Sequence, residues 1–430
     1  MGNKYSLVRI GNLAFPIYWA FPDRLMALYQ KGELIKSVSR VQRETDEWYD
    51  ISGIYVDGDD SGATVIHELY LQTQAATLLD RIRLLRGETG AVRSAFDRLY
   101  HESSTTWGDS AREPLGPTSR VAYELDDYQR DVRSAVFGDS LVWADRSPPP
   151  NPAWLLDSIF GQERLETFER LFIDWLAIIS DASRGASVVV EVLDLIADSV
   201  DEARLLRDIE AAYSRPSPDR DDFTEAPLIV FTEGRTDARW LSQSVSGLRP
   251  DLAEFVRFFN YEQSRTGGGT NEVVKLIRAL SEVGVASQML VLLDNDTAGH
   301  EAKAALRSSS LRSNIRVRSL PPLDDLRSYP TLGPTGLETL DINGRAAAIE
   351  CYFGEDVLRD QDACLTPIQW TGWNANLRQY QGELVGKRQV QKRVQHKLRQ
   401  LERGNISGDW SGIEQVIDTI LMSGHGRQVE

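Results

Sequence analysis

Two stretches decide the fold: Leu228-Ile-Val-Phe-Thr-Glu-Gly-Arg-Thr-Asp237 and Met289-Leu-Val-Leu-Leu-Asp-Asn-Asp-Thr-Ala-Gly-His-Glu-Ala302. In each, an unbroken apolar run ends at an acid, and a glycine and a helical pattern follow. A strand buried on both faces needs such a run, as in a parallel sheet. α/β folds place their chemistry at the C-terminal ends of these strands. Glu233 stands at one such end, Asp294 and Asp296 at the other, and neighbouring parallel strands bring the two ends together. Asp294 and Asp296 are two residues apart, so extended backbone points both side chains the same way. Three carboxylates converging with few cations among them repel one another unless a divalent ion sits between them. Oxygen ligands favour Mg2+ or Mn2+.

Working outward, Phe255-Val-Arg-Phe-Phe-Asn-Tyr261 reads as a second strand, and Gly267-Gly-Gly269 leads into a helix over about 271–283. Ile315-Arg-Val-Arg-Ser-Leu320 supplies a fourth strand. The expected architecture over 226–334 is therefore α/β, Rossmann-like, with a mainly parallel sheet. Gly234 permits a tight turn into the following helix, whose N-terminus can face an anion. Asp237 falls one turn after Glu233. It serves either on the same face or as a first-turn acid stabilising the helix dipole.

Glu233-Gly234-Arg235-Thr236-Asp237 and Asp294-Asn295-Asp296, in this order and each after a buried strand, resemble the signature of the Toprim domain. That module is shared by topoisomerases, bacterial primases and OLD-type nucleases. The resemblance implies metal-assisted phosphodiester chemistry, with Asp294 and Asp296 holding Mg2+ and Glu233 acting as general acid/base or further ligand. OLD-type nucleases add acids and a lysine to this core. Glu350 and, after it, Asp341 are the candidate acids, and Lys387 of Gly386-Lys387-Arg388 is the candidate lysine. The implied metal set is thus Glu233, Asp237, Asp294, Asp296 and Glu350. The run Asp341-Ile-Asn-Gly-Arg-Ala-Ala-Ala-Ile-Glu350-Cys-Tyr-Phe-Gly354, with Tyr329-Pro-Thr-Leu-Gly-Pro334 before it, is similar to bacterial HEPN/Toprim-associated proteins. In that family an N-terminal associated domain, partly HEPN-like and helical, precedes a Toprim nuclease domain. The resemblance implies a role in defence against phages and other mobile DNA. One departure stands out. Catalytic HEPN ribonucleases have Arg, four to six intervening residues and then His, and neither His101 nor His396 has an arginine at that spacing. Any HEPN-like helices are then a scaffold or a homodimer surface.

The 430 residues suffice for two to four domains. With 26% charged and 41% hydrophobic residues the composition is that of a globular protein. A net charge of -16 excludes coating nucleic acid by bulk electrostatics, though not phosphate binding by a local basic strip. Such a strip exists: 378–403 holds eight Lys or Arg against Glu383 and Glu402. Within it Lys387, Arg388, Lys392, Arg393 and Lys397 are the candidate nucleic-acid contacts, the alternative being a solvated helix face. Cys351 and Cys364 lack the spacing of a zinc or disulfide framework and suit a cytoplasmic protein. No run is long enough to span a membrane, and no signal-peptide pattern opens the chain.

In chain order, 1–146 reads as an α+β associated domain with strands at 5–10 and 51–56. Helical spacing follows from 70 to 100, then a loop over 101–120. Ser147-Pro-Pro-Pro-Asn-Pro152 marks a boundary. A HEPN-like helical block covers 153–213, with a helix pair through Trp154 to Ile179 and further helices at 188–200 and 203–213. A polar, Pro-rich linker leads to the 226–334 domain. The extension 335–430 follows, with a basic helix over about 382–403 and core positions for Trp370 and Trp373, the alternative for the two indoles being stacking on bases. His300 reads as a helix-surface residue.

The function expected is a metal-dependent Toprim nuclease, acting on DNA first and on RNA, including transfer RNA, second. The competing expectation is a non-catalytic Toprim-fold subunit that binds nucleic acid or regulates an ATPase partner. No Gly-x-x-x-x-Gly-Lys-Ser/Thr loop is present, so ATP use would come from that partner.

Overall fold

The computed structural model describes residues 6–17, 28–42, 63–86, 92–106, 124–140, 142–143, 165–191, 227–261, 269–375 and 377–422. The chain divides into two compact units, 1–226 and 227–430.

The first unit is α+β. Strands β1 (Ser6–Ile10), β2 (Leu13–Ile17), β3 (Leu34–Gln42), β4 (Ala63–Gln74), β5 (Val142–Trp143) and β6 (Ser187–Glu191) form one sheet in the order β3-β4-β6-β1-β2-β5. Its helices are α1 (Ala75–Arg86), α2 (Val92–Thr106), α3 (Leu125–Phe137) and α4 (Leu165–Ala182). Residues 171–180 of α4 are all buried, so it is the spine against which α1, α2 and α3 pack. Asp174, on α4, is fully buried and is held by Arg86 and by two bonds from Arg98 at 2.8 and 2.9 Å.

Three local expectations change here. Residues 187–191 form a strand inside the sheet, where a helix over 188–200 was expected. Val188-Val-Val190 suits a pleated surface, and pairing with both β4 and β1 overrides the helical spacing. Residues 70–74 continue β4 rather than starting a helix, and 101–106 extend α2 rather than forming a loop. The expected strand at 51–56, the helix at 203–213 and the segment around Trp154 lie outside the described residues.

The second unit is α/β. Strands β7 (Leu228–Phe231), β8 (Val256–Phe258), β9 (Met289–Leu293) and, after a two-residue β10 (Asn295–Asp296), β11 (Ile315–Ser319) build a parallel sheet in the order β11-β9-β7-β8. All five residues of β9 are buried, as its unbroken apolar run requires. Helices α5 (Arg235–Leu248), α6 (Thr270–Val283) and α7 (Thr297–Arg307) connect the strands. Gly284 ends α6 at φ +78° with its N–H on the Leu280 carbonyl, the left-handed cap that glycine allows. Phe231, Tyr261, Val273, Ile277, Val291, Leu293 and Leu306 share the core between the sheet and these helices.

Beyond β11 the chain stays in the same unit. Strands β12 (Tyr329–Gly333), β13 (Gly336–Leu340), β15 (Ile368–Asn374) and β16 (Gln379–Leu384) make a second sheet in the order β13-β12-β15-β16. A boundary at 334/335 would cut the turn between the paired β12 and β13. Residues 329–333, at the end of the expected 226–334 domain, are thus a strand of this second sheet. The short β14 (Ala346–Ala347) pairs antiparallel with β10. The short helix α8 (Glu355–Leu358) follows, and α9 (Lys387–Glu402) and α10 (Ser411–Met422) close the unit. The basic helix begins at Lys387, because 379–384 are a strand. Gly247 of α5 packs on Leu401 of α9, and Phe353 stands edge-on to both Trp240 and Trp410. Among the described residues no helix is long and apolar enough to cross a membrane.

Candidate functional site

Strands β7 and β9 are adjacent at the centre of the sheet, and the strands that follow each lie on opposite outer sides. A reversal of this kind opens a crevice at the carboxyl ends of the two strands. Glu233 and Asp294 occupy those two ends. The Asp294 N–H donates to Glu233 Oε1 at 3.1 Å. Asp296 caps α7, with Oδ1 accepting the Gly299 N–H at 2.7 Å. Asp237, in the first turn of α5, reaches back the other way, with Oδ2 accepting the N–H of the N-cap Gly234 at 3.0 Å. Gly299 fits only as glycine, since a Cβ there would lie 2.2 Å from the Asp294 carbonyl oxygen and 3.1 Å from Glu233 Oε1.

The segment after β14 carries Glu350 to the same place. Asn295 and Asp296 pair with Ala347 and Ala346, and the Tyr352 hydroxyl donates to the Pro321 carbonyl at 2.7 Å. These ties fix the short turn Ile349–Tyr352. Glu350 is 2% exposed. Its Oε1 accepts Gln391 Nε2 at 2.9 Å and lies 3.3 Å from Lys387 Nζ. Lys387 and Gln391 are four apart on α9, so one helix face presents both. Glu350 Oε2 is buried with no hydrogen-bond partner among the described residues.

Electrostatics tie these groups into one cluster. Burial, then the charge of Asp296, pushes the Glu233 carboxyl up to about 8, against the opposing pull of the Asp294 N–H. Burial, then Glu350, raises Asp237 to about 7. Burial raises Asp294 well above the ordinary range, and Glu233, Asp237, Asp296 and Glu350 add to it. Asp296 is raised by burial, opposed by the Gly299 N–H, His300 and Lys387. Burial works against the Lys387 charge, but Glu350, Asp294 and Asp237 outweigh it and hold the ammonium above its ordinary value. Tyr261 feels the same acids. Burial first, then Asp237, raises its phenol, which donates to the Thr232 carbonyl.

The donor set is all oxygen and has an excess of negative charge over its one lysine. It fits a hard divalent cation, and the orphaned Glu350 Oε2 is a ready ligand atom. Among the described residues no three His, Cys, Asp or Glu side chains already form a metal cage. The oxygens of Glu233, Asp237 and Asp296 that are hydrogen-bonded accept backbone N–H groups.

The basic strip is not a single surface. Arg388 and Lys392 are exposed and have no hydrogen bond or ion pair among the described residues. Lys397 is 6% exposed and donates to the Phe353 and Asp409 carbonyls and to Asp356 Oδ1, with its ammonium 4.5 Å from the Trp410 ring centre. Arg393 clamps the Val357 carbonyl and Thr366 Oγ1. As nucleic-acid contacts, Lys397 and Arg393 are therefore corrected: an alternating helix turns them inward, and their donors are spent on unit 2 itself. Asp341 is exposed and closes a local turn by accepting the Asn343 N–H at 3.0 Å, outside the acid cluster. His300 is half-buried, not a surface residue, and a Cβ on Gly344 would come within 3.0 Å of its ring. Trp373 lies on the surface rather than in the core, at 56% exposure.

Sequence reasoning missed Gln391, Gly299 and Tyr261. Gln391 was findable from its i+4 spacing to Lys387 and Gly299 from its place in Asp-x-Asp-x-x-Gly, whereas Tyr261 reads only as a strand residue. Neither a known family model, a curated protein nor a solved structure matches this chain.

Proposed function

We propose that the second unit is a Toprim-type, metal-dependent nuclease that hydrolyses phosphodiester bonds, in DNA first and RNA second, and serves bacterial defence against phages. The observation that carries this reading is the meeting of Glu233 and Asp294 at 3.1 Å across the two central parallel strands. Two further acids cap the adjoining helices, and a lysine stands opposite a buried fifth. Glu233, Asp294 and Asp296 would hold Mg2+ or Mn2+, with Asp237 and Glu350 completing the set. When bound, the cation supplies Lewis-acid stabilisation of the phosphoryl group and lowers the pKa of a water.

The protein's own groups do the rest. Glu233 Oε1 is fixed by the Asp294 N–H, which leaves Oε2 to take or give a proton. Without a cation that carboxyl is lifted to about 8, and a bound cation would pull it back down. Lys387 is 40% exposed, and its ammonium is oriented by Glu350 toward a substrate phosphate. Gln391 holds Glu350 in that orientation. Arg388 and Lys392 bind neighbouring phosphates from the exposed side of α9.

The test is cleavage of supercoiled plasmid, linear duplex, single-stranded DNA and transfer RNA with Mg2+ or Mn2+. An Asp294→Ala/Asp296→Ala control runs beside it. Cleavage lost in the control is the expected result, and the substrate cut decides DNA against RNA. Metal binding without cleavage points to a partner-gated enzyme. The absence of both cleavage and metal binding sinks the catalytic reading in favour of a binding or regulatory subunit.

A further inference from the structure

The β15–β16 hairpin presents three aromatic rings that the acid cluster does not use. Trp373 is opposite Tyr380 in the register, and the two are 56% and 55% exposed. Their ring centres lie 4.8 Å apart at 71°, and Trp370 adds a third ring 6.0 Å from Tyr380. The register shift between Trp370 and Gly372 sets the spacing of the two indoles. Gly382 supports Trp370 from the partner strand: a Cβ there would press within 2.9 Å of Trp370 Cε3. In the hairpin turn, Arg378 at φ +53° is exposed and has no hydrogen bond or ion pair among the described residues.

The hairpin is tied to the acids at both ends. The Tyr380 carbonyl accepts Thr297 Oγ1 at 3.0 Å, and Thr297 directly follows Asp296. Asn374 Nδ2 donates to Glu301 Oε2 on the same helix at 3.1 Å. At its other end β16 runs through Val385-Gly386 into Lys387, so the rings continue into the phosphate-binding end of α9.

Large aromatic rings left in water beside a free guanidinium suit a ligand with flat π-faces and negative charge. A nucleic-acid strand with unpaired bases offers both. A duplex hides its base faces in the stack and offers only the charge. We propose that Trp370, Trp373 and Tyr380, with Arg378 at their rim, stack the unpaired bases of a single strand and lead its phosphates to the acids beyond β7 and β9. This rests on the nuclease reading of the same site and narrows its substrate to single-stranded nucleic acid.

The test uses the full chain in metal-free buffer with three labelled probes of about twelve nucleotides: oligothymidylate, oligouridylate and a mixed-sequence duplex. Fluorescence anisotropy should show both single strands binding more tightly than the duplex, and the tighter of the two names the preferred sugar. Trp373→Ala/Tyr380→Ala should weaken single-strand binding roughly tenfold or more and leave duplex binding nearly unchanged. Trp373→Phe should restore most of the loss. Unchanged melting of the double variant shows that the effect is not unfolding. Wild-type single-strand affinity in the double variant overturns the platform, as does failure of the wild type to bind either single strand. A change of oligomeric state in the double variant without loss of binding also overturns it, and makes the face a contact between copies. Cleavage that persists while the aromatic variants have no effect defeats the platform alone. Aromatic-dependent binding with neither cleavage nor metal binding under Mg2+ or Mn2+ defeats the nuclease reading and leaves the platform standing.

Discussion

Lys397 shows how one position can be read two ways. A lysine in a basic run suggests a phosphate contact, yet its ammonium is enclosed by two carbonyls, Asp356 and the Trp410 ring. Lys397→Met should destabilise the second unit by about 3 kcal/mol, because it orphans buried acceptors. Lys392→Met, exposed on the same helix, should change stability by less than about 0.5 kcal/mol and weaken oligonucleotide binding. Thermal melting and anisotropy separate the two; a stable Lys397→Met that loses binding would refute the buried role. At Gly299 the argument is steric. Gly299→Ala should cost about 1–3 kcal/mol, since the added methyl meets backbone at 2.2 Å and can only displace Asp294 or α7. Cleavage should fall with it.

Among the elements, the close contact of α5 with α9 sets where Lys387 and Gln391 stand. A Cβ on Gly247 would come within 2.4 Å of Leu401 Cγ, so Gly247→Ala should force the two helices apart at a cost of about 1–3 kcal/mol. Leu401→Ala on its own leaves a cavity. The pair together should recover part of both losses, giving a favourable coupling in a double-mutant cycle. If the two losses simply add, the helices do not pack as described. The same cycle read by cleavage tests whether the Lys387–Glu350 pair depends on α9 being seated.

At the scale of the molecule, the concentration of buried acids makes stability depend on pH and on divalent cations. Glu233 and Asp237 hold protons in the folded protein that the unfolded chain releases near the ordinary values of 4.5 and 3.8. Their contribution to stability is present below those ordinary values and is lost as pH rises through about 7 and about 8. A cation that displaces the protons opposes this loss. The metal-free protein should therefore melt progressively lower from pH 5.5 to 8, and the Mg2+-induced rise in Tm should be larger at pH 8 than at pH 5.5. Glu233→Gln should flatten that difference. A Mg2+ effect that is the same at both pH values would count against a metal site built from these acids. The division into units 1–226 and 227–430 adds a second expectation: residues 227–430 expressed alone should fold, by circular dichroism, and keep the Mg2+-dependent rise in Tm.

The sequence by itself determined the parallel sheet and its acids. An apolar run of four or five residues, closed by an acid and a glycine before a helical pattern, fits a strand buried on both faces, and the residue after it emerges at the strand's end. The placement of Glu233 and Asp294 follows from that alone, and the spacing of Asp296 and Asp237 follows from capping the next helix. Tertiary structure decided the rest, because each remaining case depends on pairing or packing between segments far apart in the chain. Val188-Val-Val190 became a strand because partners waited on both sides. Glu350 reached the site through the pairing of Ala346 and Ala347 with Asp296 and Asn295. Which lysines of α9 meet solvent and which meet unit 2 was set by Gly247 and Trp410. Trp373 stayed outside because the hairpin that carries it leaves that face uncovered among the described residues.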